Sequence, residues 1–379
     1  MEELDWSALP RELLNLISKG IDNKIDLIRF RSVCSNWRRS SSVSNHHLNL
    51  TIKFPLLDFS YILSNPIDTT NTLFFSLSRR SIFLIKPQQH QHQLTLDRPW
   101  LLRITQNESG KIKLFLPLMS YHSPSISFYL PHLLDFNNLS VRHLGTDFFV
   151  GSEFFFLNKS SFFSNYMYPE KVISVGEKPL AIGILKPCTP QPVLFRCSDE
   201  CWKQISDIST TFGDICVFRG QIYVVDKRGR TVKIRLDSTV DLVAQHVVGG
   251  GDRKLLVESD GELLLVDIYE CLRFSIEVFR FHEKEKKWVK LKNLGDRVLF
   301  LVNGCSFSAS ASDLCVSKGN CVIFIDDAFL SLLGTCNVGI VSFIWIKVGF
   351  RLCLVILNTS TCSGHLRIGS SKAEYAILH

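Results

Sequence analysis

The chain has 379 residues, a length that allows two or three domains at the usual ~150 residues each. Hydrophobic residues make up 46% and charged ones 21%, which excludes disordered, collagen-like and coiled-coil classes. The 43 basic and 36 acidic side chains leave +7, too slight an excess to indicate nucleic acid without clustering, and 28 Phe against 3 Met lean toward aromatic-rich β structure.

Two acids at Glu2 and Glu3, with no apolar run after them, are the opposite of a secretory leader, so a reducing compartment is expected: nucleus, cytoplasm or both. Residues 1–45 then have a helical rhythm. Pro10 suits a first helical turn, Leu13, Leu14 and Ile17 follow it, and Gly20 ends that helix. Asp22 and Asn23 are good caps for a second helix. Phe30, Val33, Cys34 and Trp37 fall at i, i+3, i+4 and i+7, a single apolar stripe that Ser40–Ser42 breaks.

From about residue 50 the pattern changes to short β runs, among them 82–85, 101–104, 111–116, 147–156, 215–218, 221–225, 231–236 and 262–267, separated by turn residues. Many short strands with no convincing helix between them mean a sandwich, barrel or propeller. Trp202 (Trp-Lys-Gln-Ile) and Trp288 (Trp-Val-Lys-Leu) stand 86 residues apart, or twice 43, and a propeller blade repeats at ~40–50 residues. A strand, Gly turn and strand follow at 214–226 and, more loosely, at 313–327. Residues 46–333 would fill about six such blades. Two unrelated tryptophans in another all-β fold are the alternative.

The chemistry-bearing residue types form no site in the sequence. Cys197 and Cys201 lack a second pair or a nearby His, so no metal and no cofactor are expected, and the 12 cysteines read mostly as reduced packing residues. The tract Gln88–Gln93 reads as a polar loop. Gly249–Gly251 lack the Lys-Ser/Thr and helix of a phosphate cradle and read as a turn before a strand at 254–257. Asp326 and Asp327 are adjacent, so on a strand they point to opposite faces. Tyr121, Tyr129 and Tyr166 are candidate aromatic anchors or core. Residues 328–379 hold one acid and four basic residues around the apolar runs 338–346 and 352–357. Lys347 and Arg351 interrupt them, which makes a poor membrane span, with buried strands or a foreign C-terminus as the alternatives.

The segment Leu9-Pro10-Arg11-Glu12-Leu13-Leu14-Asn15-Leu16-Ile17, followed by Asp26-Leu27-Ile28-Arg29-Phe30-Arg31-Ser32-Val33-Cys34-Ser35-Asn36-Trp37-Arg38, closely resembles an F-box. Residues 97–118, 256–269, 278–304 and 306–327 resemble the large plant F-box family related to Skp-interacting proteins. That family carries a kelch-related β domain of unassigned ligand. The resemblance implies an α+β multidomain chain: a three-helix F-box at 1–45, an all-β propeller-like domain at 46–333 and an atypical hydrophobic tail at 334–379. The tail departs from the family and reads as an alternative or mispredicted C-terminus, in which case the last blade is incomplete.

The resemblance further implies a substrate-recognition subunit of an SCF-type cullin-RING ubiquitin ligase that does no chemistry itself. Leu9, Pro10, Leu13, Leu14 and Ile17 would fill the groove of the Skp-type adaptor. Leu27, Arg31, Val33, Cys34 and Trp37 match positions that pack the module or complete the interface. The β domain would recruit a protein target, with neither nucleic acid nor membrane as partner. A segment of ~45 residues buries too little apolar area to be robust alone, which fits a docking module. The competing readings are a propeller that binds outside any ligase, an enzyme, a nucleic-acid binder, and a protein anchored or destabilised by its tail. Residues 1–45 hold seven basic and six acidic residues, which leaves no electrostatic footprint for nucleic acid.

Overall fold

The computed structural model describes residues 6–21, 24–41, 52–55, 57–58, 74–87, 99–106, 112–115, 139–150, 166–167, 171–175, 178–184, 192–196, 201–204, 212–235, 239–246, 250–269, 275–302, 305–316, 319–324, 340–347 and 350–358. The readings placed above on Asp22, Asn23, Gln88–Gln93, Tyr121, Tyr129, Cys197, Gly249 and Asp326–Asp327 lie outside the described residues.

A single 3-10 turn at Trp6–Ala8 leads into α1 (Arg11–Lys19), α2 (Lys24–Ser32) and α3 (Ser35–Ser40). Pro10 takes the N-cap position of α1, one residue before the first turn, and its carbonyl accepts the Leu14 N–H at 3.1 Å. Gly20 closes α1 by donating its N–H to the Leu16 and Ile17 carbonyls. The stripe expected on one helix is divided between two. Cys34 is extended (φ −160°, ψ 174°) and caps α3, and the Ser32 hydroxyl bonds back to the Arg29 carbonyl at 2.7 Å, a local bond that competes with helix continuation. Phe30 and Trp37 still meet across the break, ring centroids 4.5 Å apart.

The β domain begins with β1 (Ile52–Pro55) and β2 (Leu57–Asp58). Blade I consists of β1 with β3 (Phe74–Pro87), β4 (Trp100–Gln106), β5 (Ile112–Phe115) and β6 (Leu139–Val150). A ribbon of β2 and β7 (Tyr166–Met167) stands outside it. Blade II runs through β8 (Lys171–Val175), β9 (Lys178–Ile184), β10 (Pro192–Arg196) and β11 (Cys201–Gln204). Blade III is β12 (Phe212–Phe218), β13 (Gln221–Asp226), β14 (Thr231–Ile234) and β15 (Val240–Ala244). Blade IV is β16 (Arg253–Ser259), β17 (Glu262–Tyr269), β18 (Ser275–His282) and β19 (Lys287–Lys290). Blade V is β20 (Arg297–Val302), β21 (Cys305–Ser310), β22 (Cys321–Phe324), β23 (Ile340–Lys347) and β24 (Phe350–Asn358).

Strands β6, β8, β12, β16 and β21 each pack on the next and close a ring, so the described residues form five blades where the repeat suggested about six. The difference lies at the ends. Blades II, III and IV are simple meanders with the innermost strand first. Blade I receives its inner strand last, when β6 returns beside β3. Blade V starts at its second strand, turns inward to β21, and then places β22 parallel to β20 on the other side. Blade I therefore takes far more chain than one repeat. The tryptophan repeat itself is real: Trp202 on β11 and Trp288 on β19 occupy the outermost strands of blades II and IV, two blades apart. The looser echo at 313–327 is not, because 311–315 form a turn and β21 supplies the inner strand. Residues 340–347 and 350–358 of the apolar tail pair onto β22 as the outer strands of blade V.

The core lies between blades, which follows from the period of two along each strand. On β17, Leu264, Val266 and Ile268 point to a cluster with Leu299 and Val322 of blade V. Leu263 and Leu265, of opposite parity, point to Phe218 and Tyr223 of blade III. The ring closes between blades V and I through Phe300 and Phe307, stacked at 4.8 Å, against Ile82, Leu84 and Leu101. Among the described residues no strand pairing crosses this seam; Asp313 latches it, taking Lys86 at 2.5 Å and Arg142 at 2.9 Å.

Buried charge fixes the inner strands. Asp214 on β12 pairs with Lys171 of blade II at 2.7 Å and accepts the Leu256 N–H of blade IV at 2.8 Å, so one carboxylate joins three blades. Burial lowers the Lys171 pKa, but the charge and hydrogen bond of Asp214 more than offset it and leave the ammonium favoured. Lys254 and Asp267, opposite each other on β16 and β17, form a fully buried pair at 2.5 Å. A methyl at Gly251 would overlap the Asp267 carboxylate. The glycine before β16 thus serves a close approach, which the reading of 249–251 as a turn did not include.

Candidate docking surface on the helical module

The three helices enclose a minimal core and leave one apolar face uncovered. Leu14 is fully buried, and Phe30 is buried against Trp37. The Trp37 indole N–H donates to the Trp6 carbonyl at 3.0 Å, and the Asn36 amide N–H donates to the Leu9 carbonyl at 3.4 Å. These bonds hold the approach to Pro10 against α3. Arg31 donates to the Ser41 carbonyl at 3.0 Å, and Arg38 donates to the Arg31 carbonyl at 3.2 Å, so both guanidiniums close the end of the bundle.

Beside the buried Leu14, α1 presents Leu13 (48% exposed), Leu16 (66%) and Ile17 (47%), at i, i+3 and i+4 on one face. Trp6 (64%) and Val33 (54%) are also exposed. Isolated exposed apolar side chains are ordinary, whereas several large ones on one helix of so small a module mark an interaction surface.

The structure thus divides the ten residues named from the sequence. Pro10, Leu13, Ile17 and Val33 are exposed. Leu9, Leu27, Arg31, Cys34 and Trp37 are half-buried. Leu14 has no surface left for a partner and belongs to the core. Leu16 and Trp6, outside those ten, are exposed as well. The helical spacing from Leu13 pointed to Leu16, while nothing around Trp6 marked it as exposed.

Among the described residues no group of three or more His, Cys, Asp or Glu side chains could hold one metal ion, and no helix is long and apolar enough to cross a membrane. The free thiols Cys216 and Cys305 lie in the ring of inner strands, where burial pushes Cys305 up to about 12 and Cys216 higher still, so both stay protonated. Asp147 on β6 is raised by burial, against the pull of Arg103 and Arg80.

Comparison with known proteins matches residues 74–342 to the family model described as "KIB1-4 beta-propeller". F-box protein SKIP23 of Arabidopsis thaliana is 32% identical over 363 residues, covering 86% of this chain and 85% of the relative. F-box protein At2g17036 of Arabidopsis thaliana is 31% identical over 376 residues, covering 90% and 89%.

Proposed function

The chain belongs to the plant F-box proteins that carry a KIB1-4 β-propeller, and from that membership we propose that it is the substrate-recognition subunit of an SCF-type cullin-RING ubiquitin ligase. The helical module docks a Skp-type adaptor, and the propeller recruits a protein target in the nucleus or cytoplasm. The chain performs no chemistry itself. Catalysis resides in the partner subunits, and the receptor acts by raising the effective concentration of target lysines near the charged ubiquitin.

The observation that carries the reading is the uncovered face of α1, where Leu13, Leu16 and Ile17 are each about half exposed or more. A helix presenting side chains at this spacing is read by lying in an apolar groove. Pro10 fixes the backbone before that face, and the buried Leu14 beside it anchors α1 in the core.

The test is capture of a recombinant plant Skp-type adaptor by the full chain. Capture by the parent, with loss in Leu13→Asp/Leu16→Asp at unchanged melting temperature, is the expected result. Failure of the parent to hold any adaptor isoform overturns the proposal.

A further inference from the structure

A cavity of about 460 Å³ opens between blades III and IV, and none of its lining residues belongs to the helical module. Four consecutive residues of β15 line it, Val240, Asp241, Leu242 and Val243. Consecutive strand residues point to opposite faces, so a cavity touching all four follows the strand's edge rather than one of its faces. β15 is the last strand of its sheet, and among the described residues its outer backbone groups pair with no strand. The floor is aromatic: Tyr223 and Phe281 meet with ring centroids 6.2 Å apart.

The rim is charged with unequal balance. Its two acids have partners: Asp241 takes Arg235 at 2.7 Å, and Glu283 faces Arg219 at 3.7 Å. Lys233 and Lys286 also line the cavity and have no ion pair among the described residues. Lys286 is moreover held at φ 49°, a left-handed conformation better suited to Gly or Asn. Lys286 closes the 283–286 turn between β18 and β19, and that position sets its cation at the mouth of the groove.

We propose that this groove reads an extended acidic peptide segment of the target, which adds as a strand beside β15, sets an apolar side chain on Tyr223 and Phe281, and matches its carboxylates to Lys233 and Lys286. Strand addition supplies main-chain hydrogen bonds, and the alternating side chains supply the selectivity. The open edge, the aromatic floor and the two unmatched ammonium groups each account for one part of such a ligand. The role of the groove in choosing ubiquitination targets rests on the receptor function proposed above; the binding chemistry does not.

The test selects from a displayed library of random 12-residue peptides on the full chain purified by itself, measures the best peptide by fluorescence anisotropy, and assays adaptor capture by the same preparation in parallel. Selected peptides should carry an excess of Asp and Glu around an aromatic or aliphatic residue, and their binding should weaken with salt. Lys286→Gly relieves the backbone while removing the cation, so it should raise the melting temperature and weaken binding about fivefold. Lys233→Glu/Lys286→Glu should weaken it at least ~25-fold by reversing both charges. The proposal is overturned if no peptide is selected, if those selected are neutral or basic, or if they bind the double variant as they bind the parent. A chain that holds the adaptor but selects no acidic peptide sinks only the groove. One that selects acidic peptides without holding the adaptor sinks only the ligase role.

Discussion

The Arg29 guanidinium donates to the Leu139 carbonyl at 2.7 Å, a contact spanning 110 residues that ties α2 to the first residue of the inner strand β6. The same group holds Asp26 at 3.0 Å, so its direction is set from within the helix. The helical module is thereby seated at the end of one inner strand. Arg29→Ala should cost about 1 kcal/mol, discounted for its partial exposure. Hydrogen exchange should show faster deuterium uptake at residues 139–142 and little change in blades III and IV.

Leu14 and Leu16 stand two residues apart and should fail in opposite ways. Leu14→Ala opens a cavity in a small core and should cost about 2–5 kcal/mol, read as lost helicity of the module. Leu16→Ala removes an exposed side chain and should leave stability within about 0.5 kcal/mol while weakening adaptor capture. Equal loss of capture at unchanged stability in both variants would contradict this division.

The Lys254–Asp267 pair, buried with neither side chain exposed, should be more costly to break than to replace. Asp267→Ala strands an ammonium and should cost about 3–5 kcal/mol in urea unfolding. Lys254→Met with Asp267→Leu removes both charges and should be neutral or more stable by about 1–4 kcal/mol. Gly251→Ala, which forces a methyl onto the same carboxylate, should resemble the single mutant.

The latch at Asp313 predicts a pH dependence. The hydrogen bond from Lys86 holds its carboxyl below the ordinary 3.8, aided by Ser310 and Arg142 and opposed by partial burial. A folded-state pKa below the unfolded one gives stability that is complete above about 3.8 and is lost as pH falls through the folded value. Asp313→Asn should therefore be less stable than the parent at pH 7, by about 1 kcal/mol, with the gap closing below about pH 3.8. Melting temperatures taken from pH 7 to pH 2.5 decide it; a gap that widens toward acid would refute the latch.

Local signals carried much of this architecture. The helix-strand change near residue 50, the strands around Ile215, Tyr223 and Leu264, and the spacing of Trp202 and Trp288 are all periodicities, which a single sequence displays. The number of blades was not legible. It depends on β6 pairing back across 60 residues to β3, and on β22 passing to the far side of β20, neither of which leaves a local trace. The exposed apolar face of α1 was half legible. The spacing placed Leu13 and Ile17 on one helix, but only the burial in the folded module shows that Leu14 turns inward while Leu16 and Trp6 do not. The groove beside β15 was invisible, since it is made by strands from two blades.

The seam between blades I and V also sets a waiting time. Ile82, Leu84 and Leu101 find Val298, Phe300 and Phe307 only about 200 residues later in the chain. At ~5–20 residues per second of synthesis, they stand without that cover for about 10–40 s. During that interval the nascent chain carries an apolar sheet face without its cover from blade V. Its yield in a cell should accordingly depend on holdase chaperones far more than the stability of the finished ring would suggest.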